Sequence, residues 1–298
     1  MTIRLTPSTA ALLVLPPLFW AGNAVVGRAL VGHFPPLALS FWRWALAFAI
    51  LAPFAVRSIR AHRDTIRSHW QALIALSFLG VACYNSLQYL ALQTSGAVNA
   101  TLIGASGPVA GLLIGAVFYQ ARVTHRQWTG AALSAAGVLW VIARGDLANL
   151  TALRFAMGDL IMLVATVLWS FYTWMLRRQR PPLPMTAFLA VQIGLGALMI
   201  LPLYVIEFAF TQRVPEATAT NLAALLYVAV LPSIVAYYCW DRGVARAGAV
   251  LPMHFVNLTP VFAALLATFF LAEPIGMYHF AGGALILFGI HLANRPVA

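Results

Sequence analysis

Long apolar runs, each about the length of one bilayer-spanning helix, are the dominant feature of the sequence. A transmembrane α-helix needs roughly 20 consecutive, mostly apolar residues. Ten such runs follow one another, and the loops between them are short enough that neighbouring helices are expected to be antiparallel. The runs cover residues 10–30, 37–56, 71–91, 97–119, 127–143, 157–176, 185–209, 221–241, 249–271 and 276–293. The sequence therefore predicts an all-α membrane protein with ten transmembrane helices.

The scarcity of charge excludes a water-soluble globular fold. Charged residues make up 8% of the 298 residues, hydrophobic residues make up 62%, and the mean hydropathy is +0.87. A soluble domain carries about 25% charged residues. A chain this apolar needs lipid to cover its surface, so we expect the lipid bilayer to be its main partner.

All 18 basic residues are arginines, and the sequence contains no lysine. Without lysine there is no Walker A motif to hold ATP and no Schiff base to form with a carbonyl substrate. The net charge of +11 is spread in short clusters between the apolar runs. A nucleic-acid-binding domain gathers its charge in one patch or stripe, so we expect no nucleic-acid partner.

No catalytic or metal-binding signature is present in the sequence. We find no HExxH, no GxSxG and no pair of carboxylates in the middle of the runs. Both cysteines, Cys83 and Cys239, lie inside apolar runs, where free cysteine is usually a packing residue. We therefore expect neither an enzyme nor a bound cofactor or metal, and we expect a monomer.

The placement of arginine predicts the orientation of the chain. With the N-terminus inside, 13 of the 18 arginines fall on the inner side and four fall on the outer side, while Arg43 lies within a run. Because cytoplasmic loops are enriched in Lys and Arg, this bias places both termini in the cytoplasm. We expect a multi-pass protein of the cell inner (plasma) membrane.

The second half of the sequence repeats the first. A shift of 152 residues aligns 11 identical residues over the 42 positions from Gly96 to Gly137, without a gap. Each half, residues 1–148 and residues 149–298, contains five runs, and an odd number forces the second copy to cross the bilayer in the opposite sense. The sequence therefore predicts two inverted five-helix repeats, which are typical of transporters whose substrate site lies between the halves.

Small residues and prolines in the fourth and ninth runs predict how these helices pack. Gly107, Gly111 and Gly115 are spaced four apart, which lets helix backbones approach closely in lipid. We therefore expect the fourth and ninth helices to make the tightest contacts. Pro108 and Pro260 are counterparts in the repeat, and each removes one backbone hydrogen bond. They are candidates for gating kinks, although a fixed kink accounts for them equally well.

Several short motifs resemble the EamA-type family of the drug/metabolite transporter superfamily, and the resemblance covers essentially the whole chain. They are Phe19-Trp20-Ala21-Gly22-Asn23, Pro36 with Phe41-Trp42-Arg43, Ala91-Leu92, Ala97, Pro108-Val109, Gly130 and Gly137. The aromatic content is most similar to the YddG group of aromatic amino-acid exporters. The resemblance implies ten helices, a central cavity and the export or exchange of a small-molecule substrate.

One position departs from the pattern of the family. A Gly-Glu pair often follows the fourth and ninth helices in the family. In this chain the ninth run ends in Ala272-Glu273-Pro274, whereas the fourth ends in Gln120-Ala121-Arg122. Any role of the glutamate in the first repeat is therefore absent.

Aromatic and amide side chains in the middle of the runs predict a cavity. Trp20 and Trp169 lie mid-run and correspond at a shift of 149 residues, whereas most membrane tryptophans lie at the interfaces. The third run carries Tyr84, Asn85 and Gln88, and polar groups at membrane depth need partners or water. One of them alone fits a helix–helix hydrogen bond, but together they indicate a water-filled cavity. The candidate substrate-binding residues are Trp20, Asn23, Arg43, Tyr84, Asn85, Gln88, Asn99, Trp169, Tyr172, Tyr237, His254 and Asn257.

The predicted cavity suits a neutral or zwitterionic ligand with an apolar side chain. Aromatic walls stack on an aromatic ligand, and a phosphate ester would require several arginines where only Arg43 is available. Arg43 either binds a substrate carboxylate or has a structural role. His254 either relays protons or is a packing residue. Because proton carriers are few, we expect a facilitator without strict ion coupling.

Three functions remain open from the sequence. The first is an exporter of aromatic or other apolar neutral amino acids. The second is an exporter of another class of small molecule, such as a nucleoside, an amine or a drug. The third is a membrane scaffold that transports nothing.

Overall fold

The computed structural model describes residues 7–120, 124–151, 156–247, 255–256 and 258–294. Throughout these residues the structure is helical, and it contains no strand, which confirms the predicted all-α class. The first five long helices are Pro7–Ala29 (α1), Pro36–Ala61 (α2), Trp70–Ala91 (α3), Ala97–Tyr119 (α4) and His125–Ile142 (α5). Two short helices, Arg63–Ser68 and Ala148–Thr151, lie in the connections.

The second half of the described chain contains five more long helices. They are Met157–Gln179 (α6), Met185–Thr211 (α7), Ala219–Ala229 continuing through a wide turn into Ala236–Ala247 (α8), Leu258–Leu271 (α9) and Met277–Asn294 (α10). The helix starts follow familiar sequence signals. Pro36 occupies the first position of α2, and Thr124 and Gln127 form a reciprocal capping box at α5.

Seven helices of the described chain are long and apolar enough to cross a membrane, namely α1, α2, α3, α4, α6, α7 and α8. The other three long helices do not meet this requirement of length and apolar character. Helix α5 begins with the polar residues His125, Arg126 and Gln127, and the apolar stretches of α9 and α10 within the described residues, Leu258–Leu271 and Met277–Gly289, are shorter than 18 residues. The crossing of all ten helices therefore stays a prediction.

The helices pack in pairs that join the two halves of the chain. Helix α1 packs on α8 and α9, α6 packs on α3 and α4, α2 packs on α7, and α5 packs on α10. When the two halves are exchanged, the contacts of α1 with α8 and α9 correspond to those of α6 with α3 and α4. The pairs α2–α7 and α5–α10 correspond to themselves. The exterior is apolar, and large side chains such as Phe54, Phe210 and Phe269 are exposed on it. A surface of this kind suits lipid.

The crossing of α5 and α10 is a close helix contact between the two halves. A Cβ atom built on Gly137 would lie 2.7 Å from the carbonyl oxygen of Gly282, and one built on Gly289 would collide with the carbonyl oxygen of Gly130. Gly130 and Gly137 correspond to Gly282 and Gly289 at the shift of 152 residues. The same contact is thus made twice with the partners exchanged, as in a two-fold interface.

The sequence predicts the tightest helix contacts for α4 and α9, but these close backbone contacts lie between α5 and α10. The glycines of α4 face a side chain instead of a second backbone. The indole nitrogen of Trp174 on α6 donates a hydrogen bond of 2.6 Å to the carbonyl oxygen of Gly111, and its ring covers Gly115. The small residues therefore make room for a tryptophan.

Two wide turns of π-helix interrupt α3 and α8. They cover Phe78–Cys83 and Val230–Val235, and the two segments correspond residue by residue at the shift of 152. A wide turn inserts an extra residue and releases a backbone carbonyl from the regular ladder, and such turns are frequent at functional sites. Helices α4 and α9 also end alike, at Gln120 and Ala272 in the left-handed conformation.

Helix α4 is interrupted where the sequence places Pro108. The chain forms one helix over Ala97–Ala105, passes through Ser106, and continues as a second helix over Gly107–Tyr119 with Pro108 in its first turn. Pro260 lies in the first turn of the described part of α9 and is buried. Pro108 therefore lies at the start of a helical segment, and the role of both prolines in gating stays a prediction.

Replacing Gly137 with alanine should weaken the crossing of α5 and α10. The added methyl group meets a backbone carbonyl that cannot rotate away, and such overpacking costs about 1–3 kcal/mol. Gly111→Ala, within the helix Gly107–Tyr119, is the matched control, because its Cβ would lie 3.9 Å from Trp174 Nε1, an ordinary contact. The two variants share the propensity gain of alanine. Thermal unfolding in detergent should show a lower midpoint for Gly137→Ala alone, and equal midpoints would contradict the tight crossing.

Candidate functional site

A central cavity of about 100 Å³ lies between the two halves and is lined by residues of α1, α2, α3, α4, α6, α8 and α9. Eight of the sequence candidates line it: Trp20, Asn23, Arg43, Tyr84, Asn85, Gln88, Trp169 and Tyr237. Several helix pairs that join the halves meet at this point, which is where an inverted-repeat transporter holds its substrate.

Two separate groups of aromatic rings line the central cavity. On α1, the Trp20 ring lies 5.6 Å from the Trp240 ring and 6.2 Å from the Tyr237 ring, both on α8. On α6, the Trp169 ring lies 4.7 Å from the Tyr84 ring of α3 and 4.8 Å from that of Tyr172. These distances are typical of tilted and edge-to-face ring pairs. The walls offer flat apolar surfaces to a ligand.

Arg43 is the single charged residue among the described side chains that line the cavity, and 1% of its surface is exposed. Its Nε donates a hydrogen bond of 2.7 Å to Ser233 Oγ. Its Nη1 donates one of 2.6 Å to Asn85 Oδ1 and one of 3.1 Å to the Tyr89 hydroxyl. All three partners are neutral. Arg43 thus holds a positive charge that no carboxylate in the described chain neutralises.

The guanidinium group also lies over aromatic rings. Its central carbon is 4.5 Å from the centroid of the Trp44 ring and 5.9 Å from that of Tyr89. Cation–π contacts of this kind contribute about 2 kcal/mol when they are desolvated. They offset part of the cost of burying a charge, which remains several kcal/mol per ion. An intramembrane charge kept at such a cost is a functional candidate.

A chain of hydrogen bonds leads from Arg43 to the far side of the cavity. The Tyr89 hydroxyl donates to Asn23 Oδ1 at 2.6 Å, and Asn23 Nδ2 donates to Gln88 Oε1 at 2.9 Å. All four side chains are buried. The chain joins α1, α2 and α3, so it fixes the positions of the polar groups that face the cavity.

The two wide turns supply the backbone and hydroxyl partners of this site. In the turn of α3, the carbonyl oxygen of Gly80 accepts from Asn85 Nδ2 at 3.3 Å. In the turn of α8, the carbonyl oxygen of Pro232 accepts from Trp20 Nε1 at 3.2 Å. Ser233 in the same turn accepts from Arg43. Irregular backbone at membrane depth is tolerated where it is buried in protein, and Gly80, Pro232 and Ser233 in these turns are buried.

A second cavity continues the first toward one end of the bundle. It shares Trp20, Trp169, Tyr237 and Trp240 with the central cavity. Its other lining residues are Tyr172, Leu176, Arg180, Met185, Phe188 and Leu189. Arg180 is exposed at the end of α6, so this route leads from the aromatic walls to the surface of the protein.

The opposite end is closed by a polar cluster. Arg28 Nε lies 3.4 Å from Glu273 Oε1, and Arg28 Nη1 donates to the carbonyl oxygen of Leu92 at 2.7 Å. Glu273 Oε2 accepts from the backbone nitrogen of Ala97 at 3.2 Å. The cluster ties the end of α1 and the loop after α9 to the start of α4, where an acidic side chain suits the helix dipole.

The remaining sequence candidates lie away from the central cavity or outside the described chain. Tyr172 lines the second cavity, and its hydroxyl accepts from Gln192 Nε2 at 3.1 Å. Asn99 is buried beside α10, where its Oδ1 lies 3.0 Å from Nε2 of His279. His254 and Asn257 fall outside the described residues.

Sequence reasoning missed several residues of the site. Ser233 accepts a hydrogen bond from Arg43, and Met162 and Thr259 line the cavity. A hydroxyl next to proline inside an apolar run was the available signal for Ser233. Among the described residues no group of three or more His, Cys, Asp or Glu side chains could hold a metal ion.

Comparison with known proteins identifies relatives along the whole chain. An uncharacterized transporter of Archaeoglobus fulgidus is 28% identical over 96% of this chain and 97% of its own length. The uncharacterized transporter YyaM of Bacillus subtilis is 25% identical over 94% of this chain and 91% of its own length. A probable terminal-alkyne amino-acid exporter of Streptantibioticus cattleyicolor is 28% identical over 95% of this chain and 92% of its own length.

A solved crystal structure has the same fold. It superposes with a TM-score of 0.66 at 19% sequence identity, covering 97% of this chain and 98% of the other. The model of the EamA-like transporter family matches the chain in two stretches, residues 7–143 and 156–295. These stretches contain the ten long helices and every described residue that lines the cavity. The chain belongs to the EamA-like transporter family, and it is a multi-pass membrane transporter.

Proposed function

We propose that this transporter is a facilitator that exports small aromatic metabolites, with aromatic or other apolar neutral amino acids as its substrates. It works by alternating access through the central cavity, between two inverted five-helix repeats in the cell inner membrane. The observation that carries the proposal is the central cavity itself, in which two aromatic walls flank the buried guanidinium of Arg43.

The chemistry of the lining supports an aromatic substrate. Trp20 and Trp169 belong to the two separate groups of rings, each with a second ring within 5.6 Å. A ring held between them gains about 0.5–1.5 kcal/mol for each aromatic pair beyond the area that it buries. The probable terminal-alkyne amino-acid exporter among the relatives is compatible with an amino-acid substrate, although the alkyne in its name belongs to that protein.

The symmetry of the fold supports the inverted repeat. The wide turns Phe78–Cys83 and Val230–Val235 correspond at a shift of 152 residues, and the glycine contacts of α5 and α10 are reciprocal. The family model also matches once in each half. Two similar halves that face opposite ways can exchange conformations, which is the basis of alternating access.

The two ends of the cavity support an inward-facing conformation. The second cavity leads to Arg180, on the side where most of the arginines lie. The other end is shut by the pair of Arg28 and Glu273. With both termini in the cytoplasm, as the positive-inside rule suggests, the cavity is open to the cytoplasm and an exporter would load its substrate there.

Alanine at Trp20 or Trp169 should lower transport without lowering the amount of folded protein. Each substitution removes one aromatic wall, and we expect efflux of tryptophan or phenylalanine from proteoliposomes to fall about tenfold. Trp128→Ala is the matched control, because that ring is 47% exposed on the surface of α5. Unchanged efflux in both cavity variants, or an equal loss in the control, would refute the aromatic walls.

Reporter fusions should place Ala97 and Ala249 on opposite sides of the bilayer. The two residues are repeat counterparts, and an odd number of spans lies between inverted copies. A phosphatase reporter fused at Ala97 should be active outside, and a fluorescent protein fused at Ala249 should be bright inside. The same side for both sites would overturn the inverted repeat.

A further inference from the structure

The direction of every hydrogen bond in the cavity follows from Arg43. A guanidinium group donates and never accepts, so Asn85 and Tyr89 must both present oxygen to it. The Tyr89 proton is then directed to Asn23 Oδ1. Asn23 must in turn donate through Nδ2, so Gln88 presents Oε1. The amide orientations are therefore fixed by chemistry along the whole chain.

This directed chain uses its acceptors internally and leaves donors facing the cavity. The amide oxygens of Asn23, Asn85 and Gln88 each receive a hydrogen bond from within the chain. Arg43 Nη2 and Gln88 Nε2 donate to no residue in the part of the chain that the structure describes, and both side chains line the central cavity. Two unsatisfied donors, one of them charged, form a receptor for a group that only accepts.

The cavity offers no comparable partner for a positive charge. No aspartate or glutamate is present among the described residues that line it, and the hydroxyls of Tyr84, Tyr237 and Thr259 cannot neutralise an ammonium group. A bound zwitterion would neutralise Arg43 with its carboxylate but would leave its own ammonium without a carboxylate partner among the described lining residues. Burying a charged group without a partner costs far more than leaving it in water.

Six of the seven acidic residues of the chain are engaged elsewhere. Each accepts a hydrogen bond or pairs with a basic side chain away from the central cavity. They are Asp64 with Arg63, Asp146 with the nitrogen of Ala148, Asp159 with Ser95, Glu207 with the nitrogens of Leu37 and Ala38, Glu216 with His33, and Glu273 with Arg28. The side chain of the seventh, Asp241, lies outside the described part of the chain.

We propose that the site recognises aromatic monocarboxylates through the carboxylate and the ring, and that it does not recognise an α-ammonium group. This inference rests on the proposed function, whose substrate it narrows. The carboxylate accepts from Arg43 Nη2 and Gln88 Nε2 and neutralises the buried charge, while the ring lies between Trp20 and Trp169. Aromatic acids without an amino group are therefore better ligands than the matching amino acids.

Three ligands that differ by one group each test this inference on the full-length protein in detergent. They are phenylpropionate, phenylalanine, which adds the ammonium, and phenethylamine, which keeps the ammonium and lacks the carboxylate. Isothermal titration calorimetry should give a dissociation constant for phenylpropionate about tenfold below that for phenylalanine, and no binding of phenethylamine.

The outcomes separate the inference from the proposed function. Tighter binding of phenylalanine than of phenylpropionate, or any binding of phenethylamine, overturns the inference but does not contradict the proposed function as an exporter. Phenylpropionate binding without phenylalanine binding supports the inference and removes amino acids from the proposed function. Binding of none of the three, with folded protein, overturns both.

Two near-isosteric variants test the role of the free amide. Gln88→Glu keeps the acceptor for Asn23 and replaces the free donor with a negatively charged acceptor. Phenylpropionate binding should fall at least tenfold, and phenethylamine should gain measurable binding. Gln212→Glu makes the same change at the exposed end of α7, outside the central cavity, and should alter the binding of neither ligand. Equal effects of the two substitutions would overturn the inference.

Asp241→Asn removes the one remaining acidic side chain that could pair with the ammonium group of a ligand. If the ranking of the three ligands in this variant equals that of the natural protein, Asp241 takes no part in recognition and the inference stands. A selective loss of phenylalanine binding would show that the Asp241 carboxylate recognises the ammonium group, and this result would overturn the inference. Where Gln88→Glu fails to fold, the three ligands on the unaltered protein decide the question alone.

Discussion

A permanent positive charge, buried without a carboxylate partner among the described residues, is the constraint on which the rest of the site depends. Arg43 is held by the hydroxyls of Ser233 and Tyr89 and by the amide of Asn85, and it is covered by the ring of Trp44. A hydrophobic residue at this position would be cheaper in a membrane. The surrounding polar groups, the ring contacts and the irregular turns are all arranged around this one cation, which indicates that its charge is used.

Regular helices alone could not build this arrangement. A wide turn interrupts α3 before Tyr84 and interrupts α8 before Tyr237, and each turns the following helix face by about 100° relative to an uninterrupted helix. The extra residue brings Ser233 and the carbonyl oxygen of Pro232 within reach of α2 and α1. The cavity thus combines rigid helices, which hold the rings, with local irregularity, which supplies polar partners.

The sequence predicted the helices and most of the cavity, because both depend on local composition. Apolar runs of bilayer length are explicit in the sequence, and a polar or amphipathic side chain in the middle of a run, such as Gln88 or Trp20, is unfavourable against lipid. Contacts between side chains on different helices were harder to predict, because the spacing of residues along one helix does not show which neighbouring helix each face contacts. Asn99 was assigned to the cavity but bonds His279. Ser233 stands next to a proline in an apolar run, but its contact with Arg43 depends on the wide turn of α8, which the sequence does not mark.

The polar cluster of Arg28 and Glu273 has no matching glutamate at the other end of the bundle. At the shift of 152 residues, the counterpart of Glu273 is Ala121. The Glu273 carboxylate lowers the free energy of conformations in which its own end of the cavity is closed. The sequence offers no equivalent glutamate to stabilise conformations in which the other end is closed. In the alternating-access cycle that we propose, the conformation with the Glu273 end closed is therefore favoured, and the empty transporter samples ligand mainly from a single compartment.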